Sequence, residues 1–181
     1  MKRLLIAGAA LALLAPATAA AKPTKTDKTN AAKECKTERG STAATREAFR
    51  VKYGTNKNGK NAFGKCVSRR SKAEEAQREH AAKNAAKQCK TERAADPVAF
   101  AAKYGTNKNG KNAFGKCVSK TAKANKQKSD EADAAKIKAR KSAAKDCAAE
   151  RTSLGREAFA VKYGTNKNKR NAFGKCVSKK S

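Results

Sequence analysis

The sequence predicts a mainly α protein: three small disulfide-stapled helical modules in tandem, joined by solvated Ala/Lys-rich helical connectors, with no single large core. Three observations carry that prediction. Residues 52–68 recur at 103–119 and 162–178, with fifteen of seventeen positions identical and only the pair Gly59-Lys60 changing, to Gly110-Lys111 and Lys169-Arg170. Each copy holds one cysteine and is preceded by another, in Cys35-x-x-Glu38-Arg39, Cys89-x-x-Glu92-Arg93 and Cys147-x-x-Glu150-Arg151. Bulky apolar residues are scarce: beyond residue 21 there are one Leu, one Ile, six Val and six Phe. Such an inventory with so high a charge cannot build one large core, so folded parts must be small, local and reinforced.

The elements follow in order. Lys2 and Arg3 precede an uncharged apolar run from Leu4 to Ala15, then Pro16 and a small-residue site at Ala19-Ala20-Ala21. This is the layout of a secretory signal peptide over 1–21, cleaved near Ala21; the run is too short to span a bilayer. Residues 22–31 read as a disordered basic linker. Module 1 covers 32–68, module 2 87–119 and module 3 144–178, with connectors at 69–86 and 120–143.

Within a module, a helix end carries Cys-x-x-Glu-Arg and a turn of variable length follows. A short helix then bears Phe and Tyr at i, i+4 (Phe49 and Tyr53, Phe100 and Tyr104, Phe159 and Tyr163). Asp96-Pro97 marks one such start, an N-cap followed by Pro at the first helical position. Gly54, Gly105 and Gly164 follow each Tyr, where a left-handed residue would stop the helix. After a polar Gly/Asn loop a second helix opens with Phe63, Cys66 and Val67 at i, i+3, i+4, repeated at Phe114 and Phe173. The connectors consist of strong helix formers without a breaker.

Six cysteines in an exported chain imply disulfides. A helical connector holds Cys66 and Cys89 about 35 Å apart, whereas a disulfide needs Cα atoms within about 7 Å. Cys117 and Cys147 are excluded in the same way. The remaining scheme closes each module on itself, as Cys35–Cys66, Cys89–Cys117 and Cys147–Cys176, each bridge contributing about 3–4 kcal/mol in the chain-entropy account. Each module is then expected to melt alone, as repeats in an array do.

The repeat resembles a group of uncharacterised exported bacterial proteins carrying one or several copies of Cys-x-x-Glu-Arg…Tyr-Gly-Thr-Asn-x-Asn…Asn-Ala-Phe-Gly-Lys-Cys-Val-Ser. The resemblance implies an exported, non-enzymatic module and nothing about a ligand.

No catalytic constellation is legible. The lone His80 lies in a connector, every Cys has a module partner, and the modules share a single acid, so triad, thiolate and paired-carboxylate chemistries lack their parts. No cofactor, metal or small-molecule substrate is expected. Zinc lacks a close Cys pair, and the Asn/Lys loop offers calcium lysines where carboxylates are needed. Glu38, Glu92 and Glu150 are expected to be structural, accepting hydrogen bonds from loop amides or from Lys57.

The formal net charge is +29, and loss of residues 1–21 would take Lys2 and Arg3 and leave +27. The loops concentrate it without an acid: Lys57, Lys60 and Lys65; Lys108, Lys111 and Lys116; Lys167, Lys169, Arg170 and Lys175. Amides of Gly/Asn turns can add donors for anionic oxygens. Anionic polymers or an anionic cell surface outside the cytoplasm are the expected partners. A structural envelope role with incidental charge is the alternative. A cationic membrane-active protein is another, but it needs a bulky apolar helix face that the connectors lack.

Overall fold

The computed structural model describes residues 22–181, so the signal peptide expected over 1–21 and its cleavage site lie outside the described residues. Seven helices run through them: α1 (Lys25–Arg39), α2 (Ala43–Tyr53), α3 (Ala62–Ala95), α4 (Pro97–Tyr104), α5 (Ala113–Leu154), α6 (Arg156–Tyr163) and α7 (Ala172–Lys180). The long helices α3 and α5 each fuse the second helix of one module to the first helix of the next. Unbroken runs of Ala, Lys, Glu, Gln and Arg make such fusion possible. The turn inside each module falls where helix formers stop: Gly40 ends α1, Asp96 separates α3 from α4, and Gly155 separates α5 from α6.

The three disulfides are Cys35–Cys66, Cys89–Cys117 and Cys147–Cys176, each with Cα atoms 6.0 Å apart. Each bridge anchors its own apolar cluster. In module 1 the buried Phe49, Tyr53 and Ala62 surround it, with Phe63 and Val67 half-buried beside them. Module 2 repeats the set with Phe100 and Ala113 buried and Tyr104, Phe114 and Val118 half-buried. The Phe/Tyr pair stacks at 4.9 Å between ring centroids in every module. Asp96 caps α4 by accepting from Ala99 N–H at 2.9 Å.

Residues 22–31 are not disordered. Helix α1 begins inside them, capped by a reciprocal box in which Asp27 N–H donates to Thr24 Oγ1 (3.2 Å) and Thr24 N–H to Asp27 Oδ2 (2.8 Å). The segment is ordered because it lies along α3, where Ala31 is fully buried and Asp27 meets Arg78 at 3.4 Å.

The connectors are not simply solvated either. α1 and α3 are antiparallel, joined by Cys35–Cys66 at one end and Asp27–Arg78 at the other. α5 returns antiparallel along α3. Ser71, Glu74, Glu75, Ala81 and Ala85 of α3 and Ile137 of α5 are buried. Alanine lets helix backbones approach closely, and polar pairs cross the seam: Lys126–Glu74 at 2.7 Å and Gln77–Asp133 at 2.7 Å.

Nor do the modules stand apart. Helix α2 of module 1 lies on module 3, with Ala48 buried in the cluster of Phe159, Phe173, Cys176 and Val177. Arg151 donates two hydrogen bonds to Glu47, at 2.6 and 2.8 Å. A Cβ on Gly174 would stand 2.5 Å from Val51 Cγ1. Phe173 and Val177 are therefore buried while their counterparts Phe63, Val67, Phe114 and Val118 remain half-exposed.

Candidate cation-presenting loops

Each loop is closed by its own hydrogen bonds. The N–H of Gly54 donates to the carbonyl of Arg50 at 2.7 Å and ends α2. Its backbone is extended (φ −69°, ψ 128°), not left-handed as its position after the helix suggests. Space is what demands glycine: a Cβ would lie 2.6 Å from the Arg50 oxygen and 2.8 Å from Gly59 Cα. The left-handed residue comes five positions later, at Gly59 (φ 65°), Gly110 (φ 63°) and Lys169 (φ 55°).

The asparagines then hold the turn. Asn61 Oδ1 accepts from Thr55 N–H at 3.1 Å and its Nδ2 donates to Thr55 Oγ1 at 2.7 Å. Asn58 Oδ1 accepts from Lys60 N–H at 3.0 Å. The other copies repeat this through Asn112 and Asn109, and through Asn171 and Asn168. These bonds occupy the N–H groups of Thr55 and Lys60 and the Asn61 side chain within the loop, and the lysine side chains are the charged donors that each loop presents.

Lys169 occupies a backbone region that disfavours a Cβ by about 1–2 kcal/mol. Lys169→Gly is expected to stabilise the protein by about 1 kcal/mol, since the substitution also gives up the bond from Lys169 Nζ to the Gly164 carbonyl (3.0 Å). Chemical denaturation checks this, and an unchanged or lower midpoint contradicts it.

The shared glutamate is structural, but its partners differ from those expected. Glu38 accepts from Lys52 Nζ (2.6 Å), Tyr53 Oη (2.8 Å) and Arg70 Nη2 (2.8 Å), not from loop amides or Lys57. Glu92 holds Lys103 and Tyr104, and Glu150 holds Lys162, Tyr163 and Lys180. The Lys-Tyr pair that opens every repeat thus clasps the short helix to the Cys-x-x-Glu-Arg helix. Burial pushes the Glu38 carboxyl up, but the bonds from Lys52 and Arg70 outweigh it and hold its pKa below the usual range. The Lys162 and Lys180 ammoniums and the Tyr163 hydroxyl bring Glu150 to about 2.

Nine of the chain's 15 carboxylates are engaged in ion pairs among the described residues. None of those pairs involves a loop cation. Lys57, Lys60, Lys65, Lys108, Lys111, Lys116, Lys167, Lys169, Arg170 and Lys175 are all exposed. Lys65, Lys116 and Lys175 stand on the first turn of the helix that follows each loop.

One basic cleft escaped the sequence reading. Arg39, Arg46, Arg50 and Lys60 line a cavity of about 420 Å³ over Phe49 and Phe63, with no acid on its walls. The Arg39 guanidinium sits 5.3 Å from the Phe63 ring centroid. The signal was present: Arg46 and Arg50 are one turn apart on α2, and Arg50 is Ala101 and Ala160 in the other copies. His80 is exposed on α3, and no cluster of three or more potential metal ligands occurs among the described residues. No described helix is long and apolar enough to cross a membrane. No family model, curated protein or solved structure matches the chain.

Proposed function

We propose that this chain is an exported, non-enzymatic protein that binds anionic polymers, such as extracellular nucleic acid, anionic envelope polymers or acidic polysaccharide, through its three Lys/Asn-rich loops. The observation that carries the reading is the set of ten exposed loop cations, none neutralised by a carboxylate, on three loops of the same hydrogen-bonded shape. Nine carboxylates engaged in ion pairs and ten exposed loop cations outside them leave a field that attracts polyanions. Three modest sites on one chain would act together on a polymer. The three disulfides are compatible with an extracytoplasmic location.

The test compares two variants that each lose six cations. The loop variant replaces Lys57, Lys60, Lys108, Lys111, Lys167 and Arg170 with Gln. The connector variant replaces Arg69, Lys72, Lys83, Lys120, Lys123 and Lys128, all exposed and outside the ion pairs. Binding to DNA, heparin and purified envelope is measured across salt. The loop variant is expected to lose at least about tenfold more affinity than the connector variant. Equal losses would reduce the function to diffuse charge, and no loss in either at near-physiological salt would leave the structural envelope role.

A further inference from the structure

One acceptor surface of this molecule is built three times in sequence and filled once. The donor is the short helix of module 1, through Ala44, Glu47, Ala48 and Val51. The acceptor is module 3, through Ala144, Arg151, Gly174 and Val177, with Arg151 lying over the Phe173 ring at 4.6 Å. The same acceptor residues recur as Ala32, Arg39, Gly64 and Val67 in module 1, and as Ala86, Arg93, Gly115 and Val118 in module 2. There they are open. Nothing stands within 4 Å of a Cβ on Gly64 or Gly115. Ala32, Ala86, Val67 and Val118 stay half-exposed where Ala144 and Val177 are buried. Arg39 and Arg93 stack over Phe63 and Phe114 and pair with no carboxylate among the described residues.

A matching donor is also left over. Helix α6 repeats the pattern as Glu157, Ala158 and Val161, and Leu154, the last residue of α5, stands in the place of Ala44. Val161 is 72 % exposed and Leu154 41 %, and Glu157 is exposed and forms no ion pair among the described residues. Module 2 cannot donate in the same way, because Val98 and Ala102 replace the glutamate and the valine. Within the apolar cluster the acceptors differ from module 3 at Lys36 and Lys90 for Ala148, where a lysine can lay its methylenes on an apolar neighbour and keep its head in water. Arg140 and Lys141, which flank α2 beside that cluster, are Lys28 and Thr29 in module 1 and Ala82 and Lys83 in module 2.

We infer that α6 of one chain docks on the open acceptor of module 1 or module 2 in a second copy, reproducing between molecules the contact that α2 makes within one. Donor and acceptor are different patches, so the contact is heterologous and generates a ring or an open filament. The high positive charge opposes it. Salt, or a bound polyanion, that screens this repulsion therefore favours assembly, because the contact itself is mostly apolar with a single ion pair.

Sedimentation velocity on the intact, oxidised chain at an ionic strength of about 0.5 M, where the Debye length is about 4 Å, tests it. The protein is expected to form dimers and larger species as its concentration rises towards the millimolar range. Val161→Arg and Glu157→Arg should each weaken this at least about tenfold, while Glu131→Arg, the same charge change on an exposed residue of α5, should not. Gly64→Leu combined with Gly115→Leu should block it from the acceptor side. Mixing Glu157→Arg chains with chains carrying Arg39→Glu and Arg93→Glu should restore mixed oligomers. A monomer throughout overturns the inference, as does equal weakening by Glu131→Arg. Association abolished by Gly174→Leu but untouched by the Gly64/Gly115 pair also overturns it, since that result means exchange of α2 between molecules.

Discussion

Phe159→Ala is expected to destabilise the protein by about 3–5 kcal/mol and to loosen modules 1 and 3 together. The ring is 2 % exposed at the centre of the cluster that also holds Ala48 of α2, and truncating a buried Phe removes both transfer energy and packing. Hydrogen exchange with the disulfides intact would show it. Amides of α2, α6, α7 and the end of α5 should lose protection in concert, while α4 and the module around Cys89–Cys117 keep theirs. Protection retained in α2 would mean that the modules melt independently. The companion Phe100→Ala should act on module 2 alone, and Phe114→Ala should cost less than either, because Phe114 is half-exposed beneath Arg93.

Glu38→Ala is expected to cost about 3 kcal/mol, because it takes the buried acceptor away from Lys52, Tyr53 and the half-buried Arg70 and Arg140, leaving Arg70 with Glu34 alone. Arg70 donates to Glu38, Arg140 approaches it at 3.6 Å, and the carboxylate side chain is 3 % exposed. Glu92→Ala, at a residue whose side chain is 39 % exposed and holds only Lys103 and Tyr104, should cost a small fraction of that. The same latch sets the response to acid. The folded pKa of Glu38 lies below its ordinary 4.5, so its contribution is complete above that value and is lost as pH falls through the folded pKa. Thermal melts between pH 7 and pH 2 should be flat down to about pH 4.5 and fall below it, with part of the fall absent in Glu38→Ala and the rest carried by Glu150 and the other carboxylates whose pKa is lowered. A wild-type melting temperature unchanged at pH 2 would contradict the latch.

The clasp residues show where sequence reading stops. Recurrence marks Glu38 as structural, but the sequence points to the loop for its partners, whereas the Lys-Tyr pair adjoining the loop supplies them. Pattern identifies which residues matter, but not which of two nearby donors reaches an acceptor. Residues 22–31 mislead for a related reason: their composition is polar and basic, and the order comes from a surface on α3 that no local signal announces. The capping pair Thr24 and Asp27 was the one local clue.

The sequence by itself determined the helical class, the three modules and the cysteine pairing. Those depend on local propensity and on cysteines about 30 residues apart in sequence, and helical connectors keep the second cysteine of one module out of reach of the first cysteine of the next. Only the tertiary structure decided which modules touch. Helix α3 carries the chain about 35 Å from Cys66 to Cys89, and α5 brings it back about 45 Å from Cys117 to Cys147. The return runs antiparallel and overshoots by about 10 Å, which sets module 3 beside module 1 and leaves module 2 alone at the far end. Ala32, Ala86 and Ala144 are the same residue in the same motif, and no composition or period separates them. Only the path of the two long helices decides that α2 covers Ala144 and leaves the other two open.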